Sequence, residues 1–201
     1  DGELTKRSYS AASAPGAPLE FFLSRVPGGA LTPDVFELQE GDSVELDENA
    51  LGFFTLAEVP DAETLWLIST GTGLGPWISM LRGGQVFERF SRVVVVQGVR
   101  TRAELAYADE LATWQSSHDL IHVPVVSRED APAGGIGGRI TSALVSGDLE
   151  TRTRLPVDAS GHYLLCGNPE MIEEMTTLFK ARGLRKHRRR EPGHFNFEKY
   201  W

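Results

Sequence analysis

Hydrophobic and polar positions follow two different rhythms along the chain. Over the first 60 residues short apolar stretches alternate with clusters of Pro, Gly and Asp. Leu19–Val26 reads as a strand closed by Pro27-Gly28-Gly29. Ser43–Leu46 is a second, entered through Gly41-Asp42, and Phe53–Leu56 a third. Short strands set off by turn residues suggest an antiparallel barrel. Beyond Val59-Pro60-Asp61 strands and helices take turns. Strand Leu65–Ser69 precedes a helix opened by Pro76, and strand Val93–Val96 precedes a helix carrying Leu105, Ala108, Leu111 and Ala112. Strand Ile121–Val126 leads to the loop Pro132–Gly138 and a short helix at Thr141–Val145. Strand His162–Cys166 leads to a helix with Met171, Ile172, Met175, Leu178 and Phe179 on one face. Asn168 is suited to cap that helix, Pro169 to start it and Gly183 to end it. Four such units predict a doubly wound parallel sheet. The expected class is α+β with two domains, a barrel over residues 1–60 and an α/β domain over 61–201.

Composition narrows this picture. With 201 residues, 41% hydrophobic and 24% charged, the chain can bury a sizeable core and is not of disordered composition. No apolar run has the length of a membrane span, no signal peptide is evident, and a reducing, cytoplasmic compartment is expected. The single cysteine, Cys166, excludes an internal disulfide or a Cys₄ iron–sulfur site within the chain. The five histidines lack zinc-type spacing, so no metal is expected. Residues 1–70 hold 13 of the 28 acids but only 3 of the 20 bases, leaving the second half better suited to anions. A net charge of −8 argues against nucleic acid as a partner.

The segment Gly71-Thr72-Gly73-Leu74-Gly75-Pro76 joins a buried strand to a helix N-terminus, where free N–H groups and the helix dipole favour a phosphate. The dinucleotide fingerprint has a third glycine where Pro76 stands, so a glycine-rich turn without a ligand is the competing reading. Ligands in open α/β sheets lie beyond the carboxyl ends of the strands. There the second strand ends in Gln97-Gly98-Val99-Arg100, the third in Ser127-Arg128, and Arg139 follows the loop. Guanidinium suits a 2′-phosphate, and three arginines at neighbouring strand ends favour NADP over NAD. Cys166 ends the fourth strand, either as a small buried hydrophobe or beside a nicotinamide. Nothing nearby in sequence would activate it as a nucleophile.

Taken in order, Arg7-Ser8-Tyr9-Ser10, Gly71-Thr72-Gly73-x-x-Pro76, Cys166-Gly167-Asn168-Pro169 and Glu198-Lys199-Tyr200-Trp201 closely resemble the bacterial ferredoxin (flavodoxin)–NADP⁺ reductases, along essentially the whole chain. The resemblance implies an FAD-binding barrel followed by an NADP-binding domain, with part of the barrel expected upstream of Arg7. It implies that Arg7 faces the FAD pyrophosphate, Tyr9 lies against the isoalloxazine and Ser10 reaches the flavin N5 region. Phe22-Leu23-Ser24-Arg25 and Ala30-Leu31-Thr32 match segments that wrap the FAD, and Thr72 would touch both cofactors. Arg100, Arg128 and Arg139 fall where such reductases hold the 2′-phosphate. Tyr200 would stack on the flavin and Trp201 on the adenine, with Tyr200 moving to admit nicotinamide. Glu198 would serve the proton balance, so Ser10, Cys166, Glu198 and Tyr200 form the implied catalytic set.

The implied activity is hydride exchange with NADP(H) and one-electron exchange with ferredoxin or flavodoxin, in a monomer. Lys180–Arg190 holds seven bases and no acid, either a solvated basic surface or a docking patch for such an acidic partner. The alternatives are a free-flavin or oxygenase reductase component, and a non-catalytic nucleotide-sensing module of the same ancestry.

Overall fold

The computed structural model describes residues 5–49, 52 and 54–200. After a short helix α1 (Thr32–Val35), the chain runs through β1 (Thr64–Thr70), α2 (Gly75–Gly83), α3 (Gln85–Arg89), β2 (Arg92–Val99) and α4 (Ala108–Ser117). There follow β3 (Leu120–Val126), β4 (Ile136–Gly137), α5 (Ile140–Ser146), α6 (Asp148–Thr153), β5 (Gly161–Gly167), α7 (Pro169–Ala181) and β6 (Phe195–Lys199). The six strands form one sheet in the order β4-β3-β2-β1-β5-β6, and every pairing is parallel.

Strand side chains alternate between faces, which is why the apolar runs are continuous: both faces are covered. Trp66, Ile68, Val94, Val96, Tyr163 and Leu165 pack with α5, α6 and α7. Leu65, Leu67, Val93, Val95, Leu164 and Cys166 pack with α2, α3 and α4. The α7 cap forms as read: the Asn168 side chain accepts from the N–H groups of Glu170 and Met171, at 2.7 and 3.3 Å. Gly183 turns left-handed just past the helix, with φ +80°.

Several expectations need correction. None of the strands read in the first 60 residues joins a ladder among the described residues; one isolated antiparallel bridge, Ala11 to Phe21, is formed. A strand exists through its partner, and the alternating side chains Leu19, Val26, Val44 and Leu46 lie exposed with no described layer over them. Of Phe53–Leu56, Phe53 lies outside the described residues, and Leu56 opens a 3₁₀ turn ending at Glu58. Leu105 is not part of α4, because Tyr107 takes a left-handed backbone at φ +58° and the helix begins at Ala108. Leu111 turns inward as expected while Ala112 is exposed. The loop Pro132–Gly138 contains the short β4, and α3, α6 and β6 were not legible.

Candidate functional site

The carboxyl ends of β1, β5 and β6 meet where the glycine turn leaves the sheet. Registers align Ser69 with Cys166 and Cys166 with Glu198, so Cys166 sits between the two neighbouring strands. The turn is pressed against this end of β5. A Cβ on Gly73 would stand 2.5 Å from the Cys166 carbonyl oxygen, and the Asn168 N–H donates to Thr70 Oγ1 at 2.8 Å. Gly167 adopts φ +125°, and its missing side chain leaves room for Thr70. Its carbonyl accepts the Tyr200 N–H at 3.0 Å, which ties the C-terminal tail to the strand end.

Four side chains from distant parts of the chain converge there. The Ser10 hydroxyl donates to Glu198 Oε2 at 3.3 Å. Tyr200 shares side-chain hydrogen bonds with both Ser10 and Cys166. Burial pushes the Cys166 thiol up to about 12, so it stays protonated and packs rather than attacks. Burial also raises the Glu198 carboxyl above its ordinary range, against the opposing hydrogen bond from Ser10. The Tyr200 phenol is raised, chiefly by burial, and remains neutral. The result is a small set of neutral or easily neutralised groups around a buried sulfur.

On the other half of the sheet lie the arginines. Arg100 follows β2, Arg128 follows β3, and Arg139 stands at the residue before α5, just after β4. Backbone contacts hold the loops side by side: the Ser127 and Arg128 N–H groups donate to the Val99 and Arg100 carbonyls at 3.1 and 2.9 Å. The Ser127 hydroxyl also donates to Val99 O at 3.2 Å. All three arginines are exposed, and none forms an ion pair among the described residues. Two acids near them in sequence are already bonded, Glu104 accepting the backbone N–H of Arg100 at 2.9 Å and Glu129 pairing with Arg102 at 3.6 Å. Such a donor set fits a phosphate monoester. Val99 itself is buried, and its carbonyl holds the Ser127 N–H and hydroxyl.

The FAD-side expectations are partly assembled. Arg7, Ser8 and Tyr9 are exposed, and the Arg7 guanidinium donates to its neighbour Lys6 O at 2.7 Å, free to meet an anion from outside. Phe22 turns inward, edge-on to Tyr107 with ring centroids 5.3 Å apart. Arg25 pairs with Glu37 at 2.7 Å, while Leu23, Ser24, Ala30 and Leu31 are partly or fully exposed. Thr32 is buried at the start of α1 and its hydroxyl oxygen accepts the Val26 N–H at 3.0 Å. Trp201 lies outside the described residues. Gly71 is exposed with φ +54° and open space where a side chain would stand.

The basic run at 180–190 is less free than its composition suggests. Arg182 pairs with Glu150 and donates to Leu144 O, Arg188 pairs with Glu191, and Arg189 forks onto Glu58. Lys186 lies 3.8 Å from the centroid of the Phe197 ring. Sequence reasoning also missed Thr70 and Arg82, whose partners are remote in the chain. Among the described residues no cluster of three or more His, Cys, Asp or Glu could hold a metal ion, and no helix is long and apolar enough to cross a membrane.

The profile of the oxidoreductase NAD-binding domain matches residues 67–177, the region from β1 into α7. The flavodoxin/ferredoxin–NADP reductase of Shigella flexneri is 43% identical over 206 residues, spanning 100% of this chain and 83% of the relative. That of Escherichia coli K12 is 42% identical with the same coverage. The crystal structure of a ferredoxin NADP⁺ reductase from Neisseria gonorrhoeae, with FAD and NADP bound, superposes with a TM-score of 0.91 at 31% identity, over 97% of this chain and 80% of that one. Identity at this level over the full chain, with the strand-end arrangement described above, shows that the chain belongs to the flavodoxin/ferredoxin–NADP reductase family.

Proposed function

We propose that the protein is an FAD-dependent reductase that exchanges hydride with NADP(H) and single electrons with ferredoxin or flavodoxin. The observation that carries this reading is the convergence of Ser10, Cys166, Glu198 and Tyr200 at the carboxyl end of a sheet whose other half ends in Arg100, Arg128 and Arg139, none ion-paired among the described residues. Residues 1–60 would belong to the FAD-binding unit, an antiparallel barrel in the family, and residues 61–201 to the NADP-binding unit. The change near Val59-Pro60-Asp61 from short strands between turn residues to alternating strands and helices, read from the sequence, supports that division. A monomer in the cytoplasm, where the one thiol stays reduced, completes the reading.

When bound, FAD supplies the conversion between two-electron and one-electron chemistry. The chain supplies position and electrostatics. Arg100, Arg128 and Arg139 would hold the 2′-phosphate of NADP, while the Gly71–Gly73 turn receives its pyrophosphate at the start of α2. Ser127, Gly167, Asn168 and Pro169 would frame the dinucleotide between these ends. Arg7, Ser8 and Tyr9, with Phe22–Arg25 and Ala30–Thr32, would contact FAD, and Trp201 its adenine. The neutral Cys166 thiol would lie beside the nicotinamide and pack without attacking it. Tyr200 would stack over the flavin ring and would have to move for nicotinamide to enter. Glu198, held by the Ser10 hydroxyl, would serve the proton balance, since burial raises its carboxyl above the ordinary range and favours the protonated form.

Rapid mixing of the FAD-loaded protein with NADPH and with NADH, followed at the flavin absorbance, tests the reading. Reduction should be faster, and saturate at lower concentration, with NADPH. Equal behaviour of the two nucleotides refutes the arginine assignment, and absence of flavin bands after addition of FAD refutes the enzyme itself.

A further inference from the structure

Arg82, one residue from the end of α2, joins three pieces of chain that are far apart in sequence. Its Nε and Nη2 groups fork onto the Glu110 carboxylate of α4 at 2.9 and 2.8 Å. Nη1 donates to the Ala12 carbonyl at 3.0 Å and to Glu20 Oε2 at 2.9 Å. The other Glu20 oxygen accepts the Tyr107 hydroxyl at 3.0 Å, and the guanidinium carbon lies 5.4 Å from the centre of the Tyr107 ring. Tyr107 is one of two non-glycine residues with a left-handed backbone among those described. That backbone is unfavourable for a bulky residue, yet here it delivers the hydroxyl to Glu20. A planar fork with several donors can hold this many partners at once, which an ammonium cannot do in the same geometry.

What the clamp holds is the segment that carries Ser10. Ala12 is fully buried, and the Ser79 hydroxyl of α2 donates to the Ser13 carbonyl at 2.7 Å. Gly75, in the first turn of α2, has Ser10 O, Ala12 Cβ and Phe22 Cβ in ordinary contact, at 3.7 to 4.0 Å from where its Cβ would be. Ser10 stands two residues before Ala12, a reach of roughly 7 Å at full extension. The placement of its hydroxyl against Glu198 therefore depends on where Ala12 is fixed.

We propose that Arg82 is a positioning residue: it registers residues 10–13 on α2 and thereby sets the Ser10 hydroxyl against Glu198 and Tyr200. The proposal rests on the functional reading above. Arg82 touches neither Arg100, Arg128 nor Arg139, so it acts on the hydride-transfer end and not on nucleotide affinity.

The test compares the full-length FAD-loaded protein with R82M, R82K and the milder double variant E20Q/Y107F, which keeps the Glu110 fork. Single-turnover flavin reduction is measured against NADPH concentration, and amide hydrogen exchange is followed in the peptides covering 10–13 and 161–167, with and without FAD. R82M should lower the limiting rate about tenfold while the half-saturating NADPH concentration changes less than twofold. Exchange over 10–13 should accelerate about tenfold with 161–167 unchanged. R82K should recover part of the rate, to about a third of wild type, and E20Q/Y107F should lower it about threefold. The inference is overturned if R82M reacts within twofold of wild type with unchanged exchange at 10–13. It is equally overturned if exchange rises alike in both peptides while E20Q/Y107F behaves as wild type. A wild-type protein that NADPH does not reduce would defeat the functional reading instead, and exchange at 10–13 would still decide the clamp.

Discussion

Replacing Gly73 by alanine probes the contact on which the whole site is hung. The added Cβ would lie 2.5 Å from Cys166 O, 2.7 Å from Cys166 C and 3.0 Å from Gly167 N, whereas ordinary contact begins near 3.4 Å. All three neighbours are backbone, so no side chain can swing aside. Relief requires the glycine turn and the end of β5 to part by about 1 Å, against the Asn168 N–H to Thr70 hydrogen bond and the β1–β5 ladder. Overpacking of this kind costs about 1–3 kcal/mol. For a chain of this size that is roughly 2–12 °C in Tm. The same displacement moves the turn away from Cys166 and Tyr200, and a misplacement of about 1 Å can cost on the order of 100-fold in rate. Thermal unfolding and single-turnover reduction by NADPH give the two readouts. Gly83→Ala is the matched control on α2: its Cβ would find only Pro15 Cδ at 3.7 Å, with no left-handed backbone to strain. It should leave the rate unchanged and hold or raise Tm. If G73A melts within about 1 °C of wild type and reacts within twofold, the close approach described here is not real.

Other outcomes follow from the same geometry. Burial holds the His122 and His162 imidazoles down to about 4, so both are folded in the neutral form. Their contribution is complete above about pH 6.5 and is lost as pH falls toward 4, by up to about 3 kcal/mol each; urea unfolding at pH 7 and 4.5 measures it, and a flat profile contradicts it. Removing the guanidinium in R100A or R139A should raise the half-saturating NADPH concentration about tenfold or more and leave NADH nearly unaffected, in keeping with hydrogen bonds to a charged group. An equal loss with both nucleotides would mean that these arginines do not read the 2′-phosphate. Asn168→Ala removes the α7 cap and should cost about 1 kcal/mol in thermal unfolding; an unchanged Tm would show the cap to be idle.

The second half of the chain was largely legible because its strands are buried on both faces. Leu65–Ile68 and Val93–Val96 are unbroken apolar runs, and Asn168-Pro169 marks a helix start by local chemistry alone. The strand β6 was not legible. Its five residues alternate Phe with Asn and end in two charges, and only the partner β5 makes them a strand. The first 60 residues misled in the opposite sense, since alternation around Val44 and Leu46 exists without a described partner. In the site, Gly73 was visible as a glycine but the reason for it, the carbonyl of Cys166, lies 93 positions away in sequence and is a tertiary fact. Arg82 offered no local signal at all, because Ala12, Glu20 and Glu110 come together only in the folded chain.

The strand order also divides the site's labour. Reading from β1 outward, one wing of the sheet, β2-β3-β4, ends in arginines; the other, β5-β6, ends in the sulfur, carboxyl and phenol. The glycine turn stands on the seam between them. Loops on one wing can thus be rewritten without disturbing the other, since no side chain of either set touches the opposite one among the described contacts. On the proposed reading, nucleotide preference is a separately adjustable property: exchanging Arg100, Arg128 and Arg139 for acids should turn preference toward NADH while the β5-β6 wing keeps its register. The fold is built like a two-key lock, and each key can be recut alone.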